Sequence, residues 1–393
     1  MLAKTLKLTA AGEPFRLLFP LGWLLGVVGI LLWPLYSLQW LELYPATAHA
    51  RLMIQGFLTA FVMGFLGTAL PRLLEVPRIG LRPTALLVGG LAAVALLQLL
   101  HLTTLADLIF LLLFGSFLAL LLTRAKHRKD TPPPGFVLVG MGLLSALIGT
   151  ALFVWTEAGP GNFSPTGYSL ARLLVYQGYI LLPIMGIGAF LLPRFFGLPS
   201  RQSFPESLQV TAEWKRRARF ASACGGLVLV SFMLEAVGYF HLGYGLRALG
   251  VALYFFHEVP VHQAKFSKGS LALALRIALF AIPFGYALMA LMPAYQSGLV
   301  HVVFVTGFSL LTFTVASRVL LGHSGQSEKF SRVLKPILWM TALLILAMLL
   351  RVAADFIPGG RLHAYAAAAV IWAIGSLIWA KALLPSVARE DSE

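Results

Sequence analysis

Long apolar runs separated by short polar connections dominate the pattern of this chain. A transmembrane helix needs about 20 consecutive, mostly apolar residues, because each residue adds about 1.5 Å and the hydrocarbon core is about 30 Å thick. The pattern predicts twelve such helices, although the tight turn between the third and fourth leaves eleven or thirteen open. The predicted spans are 16–38, 47–71, 84–103, 104–123, 134–156, 169–193, 217–239, 242–260, 271–292, 299–321, 334–356 and 362–384.

The composition agrees with this pattern, since 59% of the 393 residues are hydrophobic and only 11% are charged. Such a chain is not a soluble domain. We expect an all-α integral membrane protein that forms a single polytopic membrane domain over residues 1–393. The single cysteine, Cys224, excludes a disulfide framework and a thiolate metal cluster built within one chain. The chain start shows no signal-peptide cleavage site, so we expect the first span to be retained.

A motif recurs along the chain at a nearly constant spacing. Gln-Gly, Met-Gly, Leu-Pro-Arg and a final Pro occur in both 54–77 and 176–199, at an offset of 122, and Arg318 follows Arg194 by 124. The spacing predicts a three-fold internal repeat of four helices each, in which the second, sixth and tenth spans take equivalent positions. The predicted pseudo-repeats are 16–123, 134–260 and 271–384.

This arrangement resembles the twelve-helix catalytic subunit of haem-copper oxidases, in which corresponding helices bring histidines to metals. The resemblance is one of architecture alone. The chain has no His-Pro-Glu-Val-Tyr run, and its sixth span offers Tyr176, Gln177 and Tyr179 but no histidine.

The basic residues are distributed unevenly between the two predicted sides. All but six of the 30 Lys and Arg residues lie at the chain ends or in the connections after even-numbered spans. The positive-inside rule then places both termini in the cytoplasm. We expect the lipid bilayer, with its anionic headgroups, to be the partner of these residues. Nucleic-acid binding is not expected, because the basic residues lie in short loops beside helices and not in a folded basic domain.

The nine histidines fall into two sets at opposite ends of the spans. The outer set is His49, His101, His241, His301 and His363, and the inner set is His127, His257, His262 and His323. Histidine is costly in hydrocarbon and is the commonest metal ligand, so five at one depth are informative. His49, His301 and His363 each open an even-numbered span, and metal ligation by these three is what the resemblance described below implies.

The alternative for the outer histidines is an interfacial side chain that bonds lipid or a loop carbonyl, and this applies most to His101 and His241. At the inner end, we expect His323 to bond a neighbouring loop. An inner metal site with His257 and His262 is the alternative there.

The stretch from His301 to Gln326 resembles the most characteristic segment of the NnrS family, in which a histidine opens a helix that ends Arg, then Leu-Gly-His-Thr-Gly-Arg. Here Ser324 stands for Thr and Gln326 for Arg. A second family signature, Trp-His-Ala-His-Glu before a Gly-Phe-rich helix, has Arg51 for its second histidine and Leu52 for its glutamate. The matching positions are His49, Ala50, Gly56, Phe57, Gly64, Phe65, Leu66, Thr68, Ala69, Pro71, His301, Arg318, Leu321, Gly322, His323 and Gly325.

The resemblance implies a function and a location. Members of this family are bacterial membrane proteins reported to hold haem and copper and to relieve nitric oxide stress. It implies a haem-binding protein of the bacterial cytoplasmic (inner) membrane, with copper as a second candidate metal and nitric oxide or a related small molecule as its ligand. The alternatives are a metal-free twelve-span transporter and a haem-copper-type membrane oxidoreductase. Whether a reaction is catalysed stays open at this point.

A haem needs an imidazole for its iron and cations for its two propionates. His49 and His301 are the candidate axial ligands, and Arg51, Arg172 and Arg361 are the candidate propionate partners, with snorkelling to lipid phosphates as the alternative for the arginines. The candidate metal ligands as a set are His49, His301, His363 and His101, and Met53, which we expect to serve packing, is a soft donor one turn from His49.

Overall fold

The computed structural model describes residues 2–159, 161, 163–265, 269–357 and 359–390, and it contains no strand among them. The predicted domain ends, 1 and 393, lie outside this part of the chain. The helices are α1 Leu2–Ala10, α2 Phe15–Ser37, α3 Ala46–Leu73, α4 Leu81–Leu99, α5 Thr103–Ala125, α6 Phe136–Glu157, α7 Pro165–Phe196, α8 Ala212–Ala236, α9 Phe240–Glu258, α10 Ser270–Leu291, α11 Pro293–Gly322, α12 Lys335–Phe356 and α13 Arg361–Ala388.

The membrane-protein class predicted from the sequence is confirmed. Eleven of the described helices are long and apolar enough to cross a membrane, and they comprise all except α1 and α9. Helix α9 coincides with the predicted span 242–260 and has 19 residues, but it carries Arg247 and ends at Glu258. The side of the membrane that each end faces stays a prediction.

Three helices, α3, α7 and α11, form the centre of the bundle. Their apolar windows are 78%, 67% and 67% buried, whereas no other candidate span exceeds 56%. These are the second, sixth and tenth predicted spans, which the proposed repeat places in equivalent positions. The three-fold repeat itself stays a prediction.

Each central helix is interrupted by π-helical turns, which the sequence did not predict. The π segments are Leu52–Leu58 in α3, Leu174–Gly178 in α7 and Val302–Ser309 in α11. The first two begin 122 residues apart, which is the offset of the sequence motif. A π turn holds one residue more than an α turn, and such turns occur mostly as single insertions near functional sites.

Glycine allows α6 and α7 to touch backbone to backbone. A β-carbon on Gly186 would collide with the carbonyl oxygen of Gly135, and Gly135 has the same relation to the carbonyl oxygen of Gly186. Membrane helices use small residues in this way to approach closely. Gly186, in the sixth predicted span, is therefore a point of close helix approach.

A polar cluster ties the ends of α2, α3 and α11 together at the predicted inner side. The Glu13 carboxylate accepts hydrogen bonds from Arg16, from Arg72 at 2.6 Å and from Nδ1 of His323 at 2.7 Å. Arg16 also donates to the carbonyl oxygen of Val387 at 2.7 Å, which holds the C-terminal segment. The interpretation of His323 as a residue that bonds a neighbouring loop is confirmed.

Candidate functional site

A cavity of about 520 Å³ lies between the central helices at their predicted outer ends, and we call it the outer cavity. Residues from α2, α3 and α7 to α13 line it, so it is enclosed by almost the whole bundle. Ligand pockets in proteins measure about 300–1,000 Å³. The outer cavity is therefore large enough for a cofactor.

His49 and His301 both line the outer cavity, one from α3 and one from α11. Nδ1 of His49 lies 3.0 Å from the carbonyl oxygen of Gly29, and Nδ1 of His301 lies 2.8 Å from the carbonyl oxygen of Ser297. A carbonyl oxygen only accepts, so Nδ1 must carry the proton in each ring, and a neutral ring keeps a free lone pair on Nε2. Metal-binding histidines are fixed by this same second hydrogen bond.

The π segments occur directly after the side chains that enter the outer cavity. His49 lies three residues before Leu52, where the first π segment begins, and His301 immediately precedes Val302. Arg172, which also lines the cavity, lies two residues before the π segment of α7. Each of the three central helices therefore presents a histidine or an arginine to the cavity within three residues before its π segment.

Two arginines, Arg172 and Arg351, place positive charge in the cavity wall. Arg351 donates to Asp355 at 3.3 Å and to Oγ of Ser297 at 3.1 Å, and its guanidinium lies 4.1 Å from the ring centre of Tyr365. The sequence placed Arg351 near the outer face but did not assign it to the site. Its spacing of four residues from Asp355 was the available signal, because such pairs meet on a helix.

One carboxylate, Glu235, also lines the outer cavity, and its charge is compensated. Arg247 on α9 lies 2.6 Å from Glu235 and donates to Oε1 of Gln177 at 2.8 Å. Tyr244 donates to Glu235 at 2.8 Å. This network joins α7, α8 and α9 beside the cavity.

Arg51 is not in the cavity wall, although the sequence made it a candidate propionate partner. Its side chain is fully buried, 2.7 Å from Asp107 and 3.3 Å from Glu157, and it donates to the hydroxyl of Tyr176 at 2.8 Å. The guanidinium also lies 3.5 Å from the ring centre of Phe153. Protein carboxylates thus occupy the place that was expected for a propionate.

The other candidate residues lie away from the cavity. Arg361 and His363 are exposed at the beginning of α13, and His101 is exposed in the α4–α5 connection with a left-handed backbone, φ 58°. Among the described residues, no group of three or more His, Cys, Asp and Glu could hold a metal ion. The structure therefore brings His49 and His301 to one cavity but not His363 and His101, and metal ligation stays a prediction.

Soft and aromatic side chains complete the wall of the outer cavity. Met53 on α3 and Met289 on α10 contribute thioethers, and Trp33 and Trp372 contribute ring faces or edges. His241 lies in the first turn of α9 and not in a loop, and its exposed side chain bonds through Nδ1 to the carbonyl oxygen of Ala290 on α10 at 2.7 Å.

Comparison with known proteins gives one match, to a protein family. A family model described as NnrS protein matches residues 10–390, which is nearly the whole chain. No curated protein matches the chain.

Proposed function

Because the chain belongs to the NnrS family, we propose that it is a haem-binding membrane protein that acts in nitric oxide metabolism or in protection against nitrosative stress. Family membership supports the coarser part, a membrane protein related to nitric oxide stress. One observation supports the haem. His49 and His301 line a single large cavity from opposite central helices, and each is fixed through Nδ1.

The residues present in the outer cavity fit a haem. Nε2 of either histidine would bind the haem iron, and Arg172 and Arg351 would pair with the propionates. We replace Arg51 and Arg361 by Arg351 in this role, because neither of those two lines the cavity. When bound, a haem iron supplies a coordination position for nitric oxide.

In this proposal the protein residues bind the haem, orient its ligands and shield it from water. The carbonyl oxygens of Gly29 and Ser297 hold the imidazole rings in one tautomer. Asp355 and Ser297 fix the direction of the Arg351 guanidinium. The side chains of Trp33 and Trp372 restrict water at the apolar wall.

We propose that the native chain holds haem and little copper. The position at which the family signature has its second histidine is Arg51, and that side chain is engaged in an ion pair outside the cavity. A copper(I) ion would have His49, His301, Met53 and Met289 as donors in the cavity wall. These are the same histidines that we assign to the haem.

A transporter would be expected to carry carboxylates within its spans, and the sequence has few, with Asp107 and Glu235 as the candidates. Asp107 pairs with Arg51 and Glu235 with Arg247, at 2.7 Å and 2.6 Å. Both carboxylates are thus tied to fixed cations in the helix bundle. Their placement gives no support to the transporter or to the oxidoreductase alternative.

Absorption spectra of the purified protein, air-oxidised and dithionite-reduced, test the proposal. We expect a Soret band in the native protein that is lost or strongly shifted in His49→Ala or His301→Ala. The matched control is His241→Ala, since this outer histidine is exposed and bonds only a carbonyl oxygen among the described contacts. A native protein that shows no Soret band after haem is added and unbound haem is removed would refute the proposal, as would identical spectra in all three variants.

A further inference from the structure

A second cavity, which we call the inner cavity, lies where α3, α7 and α11 meet, farther from the predicted outer side. Its volume is about 90 Å³. The cavity is half open, and its wall is made of aliphatic and aromatic side chains to which Thr312 adds one hydroxyl. Representative wall residues are Val62, Ile184, Ile187, Leu311 and Ala316.

The two cavities follow the same faces of the central helices. On α3, Ile54 lines the outer cavity and Val62 the inner cavity, and Leu58 between them lines both. On α11, Ser309 lines the outer cavity and Thr312, one turn later, the inner cavity. Leu58 therefore borders both cavities.

The chemistry of the wall decides what the inner cavity can hold. A buried water needs two to four polar partners, and apolar cavities of comparable size stay dry and take up xenon or small apolar molecules. A single threonine hydroxyl does not meet the requirement of a water. An uncharged diatomic gas needs no hydrogen bond, so it can occupy a volume in which water would lack hydrogen-bond partners.

We propose that the inner cavity is a binding site for a small uncharged diatomic gas, which exchanges with the outer cavity past Leu58. The gas site rests on the cavity and its wall alone. That the gas is nitric oxide, held in reserve next to the haem, rests on the proposed function. Gas held in the inner cavity would raise the concentration of gas next to the outer cavity. No further protein ligand to the gas would be needed.

Xenon is the probe, because it reports on apolar gas sites and does not require haem. Crystals of the purified full-length protein are pressurised with xenon, and the anomalous difference map is calculated. We expect a peak among Val62, Ile187 and Ala316. Ala316→Leu fills the cavity and should lower xenon occupancy about tenfold, since a filled cavity has no volume left for a guest.

The matched control is Ala119→Leu, which makes the same change at an exposed position of α5 and should leave the xenon peak intact. Because larger side chains can strain a packed core, Val62→Phe provides a second way to fill the cavity from α3. One of the two variants, Ala316→Leu or Val62→Phe, is sufficient to test the gas site if it retains the native helical content.

Absence of a xenon peak in the native protein would overturn the gas site, and so would equal occupancy in a folded filled variant. Continuous density of a lipid chain in the cavity would also overturn it. The haem proposal is judged separately by the Soret band. A protein with xenon in the inner cavity and no haem would keep the gas site and lose the proposed function.

Discussion

Arg51 and Asp107 form an ion pair with no solvent exposure on either side chain, 2.7 Å between Nη2 and Oδ2. Gln55 donates to the other oxygen of Asp107 at 2.6 Å, and Glu157 lies 3.3 Å from the same Nη2 of Arg51. The pair connects α3 to α5, and Glu157 extends the connection to α6. Its place in the bundle makes Arg51 a structural residue between helices.

Arg51→Ala should destabilise the protein by about 3–5 kcal/mol, because Asp107 is then buried without a counter-charge. Thermal unfolding in detergent, followed by circular dichroism, measures the change. Arg361→Ala is the control, since that arginine is exposed. The double variant Arg51→Ala, Asp107→Ala should be less destabilised than the sum of the single variants. Additive effects, or an Arg51→Ala protein as stable as the native one, would contradict the assignment.

Arg172→Leu should weaken haem binding, whereas Arg361→Leu should not. Arg172 lines the outer cavity and Arg361 does not. A hydrogen bond to a charged group contributes about 1.5–3 kcal/mol, which corresponds to roughly a tenfold to hundredfold loss of affinity. Titration of the haem-depleted protein with haem measures both constants. The reverse order of the two variants would remove Arg172 from the site and favour Arg361, the other of these two candidates from the sequence.

Glu13 should make the stability of the protein depend on acid pH. Burial of Glu13 acts to raise its pKa, but the hydrogen bond and charge of His323 and the guanidinium of Arg16 outweigh it and bring the pKa from 4.5 down to about 2. The folded state then binds the proton more weakly than the unfolded state, so the stabilisation is complete above pH 4.5 and is lost as the pH falls toward 2.

The unfolding temperature, measured from pH 6 to pH 3, tests this dependence. Glu13→Gln should flatten the curve in its acid part, and Glu206→Gln, at an exposed position, should leave it unchanged. Parallel curves for the native protein and Glu13→Gln would show that other carboxylates dominate.

Deletion of Val303 should turn His301 away from the outer cavity. The deletion removes the extra residue of the π segment in α11, and one residue corresponds to about 100° of helix rotation. We expect the Soret band to be lost or shifted while the helical content is retained. Deletion of Gln209, in the exposed connection before α8, is the control. An unchanged spectrum after removal of Val303 would exclude a role of the π segment in aiming His301.

Reporter fusions test the predicted orientation. The loops near 130 and 210 should lie in the cytoplasm, because they carry clusters of Lys and Arg. A fluorescent reporter at either position should be active, and an alkaline phosphatase reporter inactive. The opposite result would show that the protein has the reverse orientation in the membrane, with the outer cavity on the cytoplasmic side.

The sequence predicted those features that depend on local pattern. The apolar run of α7 is local and was found. The start of the span with His301 was predicted at residue 299, whereas α11 begins at Pro293 and His301 lies eight residues into it. The partners of Arg51 were not predicted, because Asp107 and Glu157 are distant along the chain and a buried arginine has the same local sequence as one that reaches lipid phosphates. Arg351 was missed for the same reason, since only packing shows that its helix end faces the cavity.

The π segments also mean that the helical phase of each central helix changes within the membrane. Residues before and after such a segment that would share a face in a regular helix differ in direction by about 100°. The side chains of the outer and inner halves of α3, α7 and α11 can therefore change independently in evolution. One set faces the outer cavity, and the other packs in the apolar interior. Gain or loss of one residue in a π segment would redirect every side chain beyond it in a single step. We therefore expect a different set of ligands in related chains whose π segment is one residue longer or shorter.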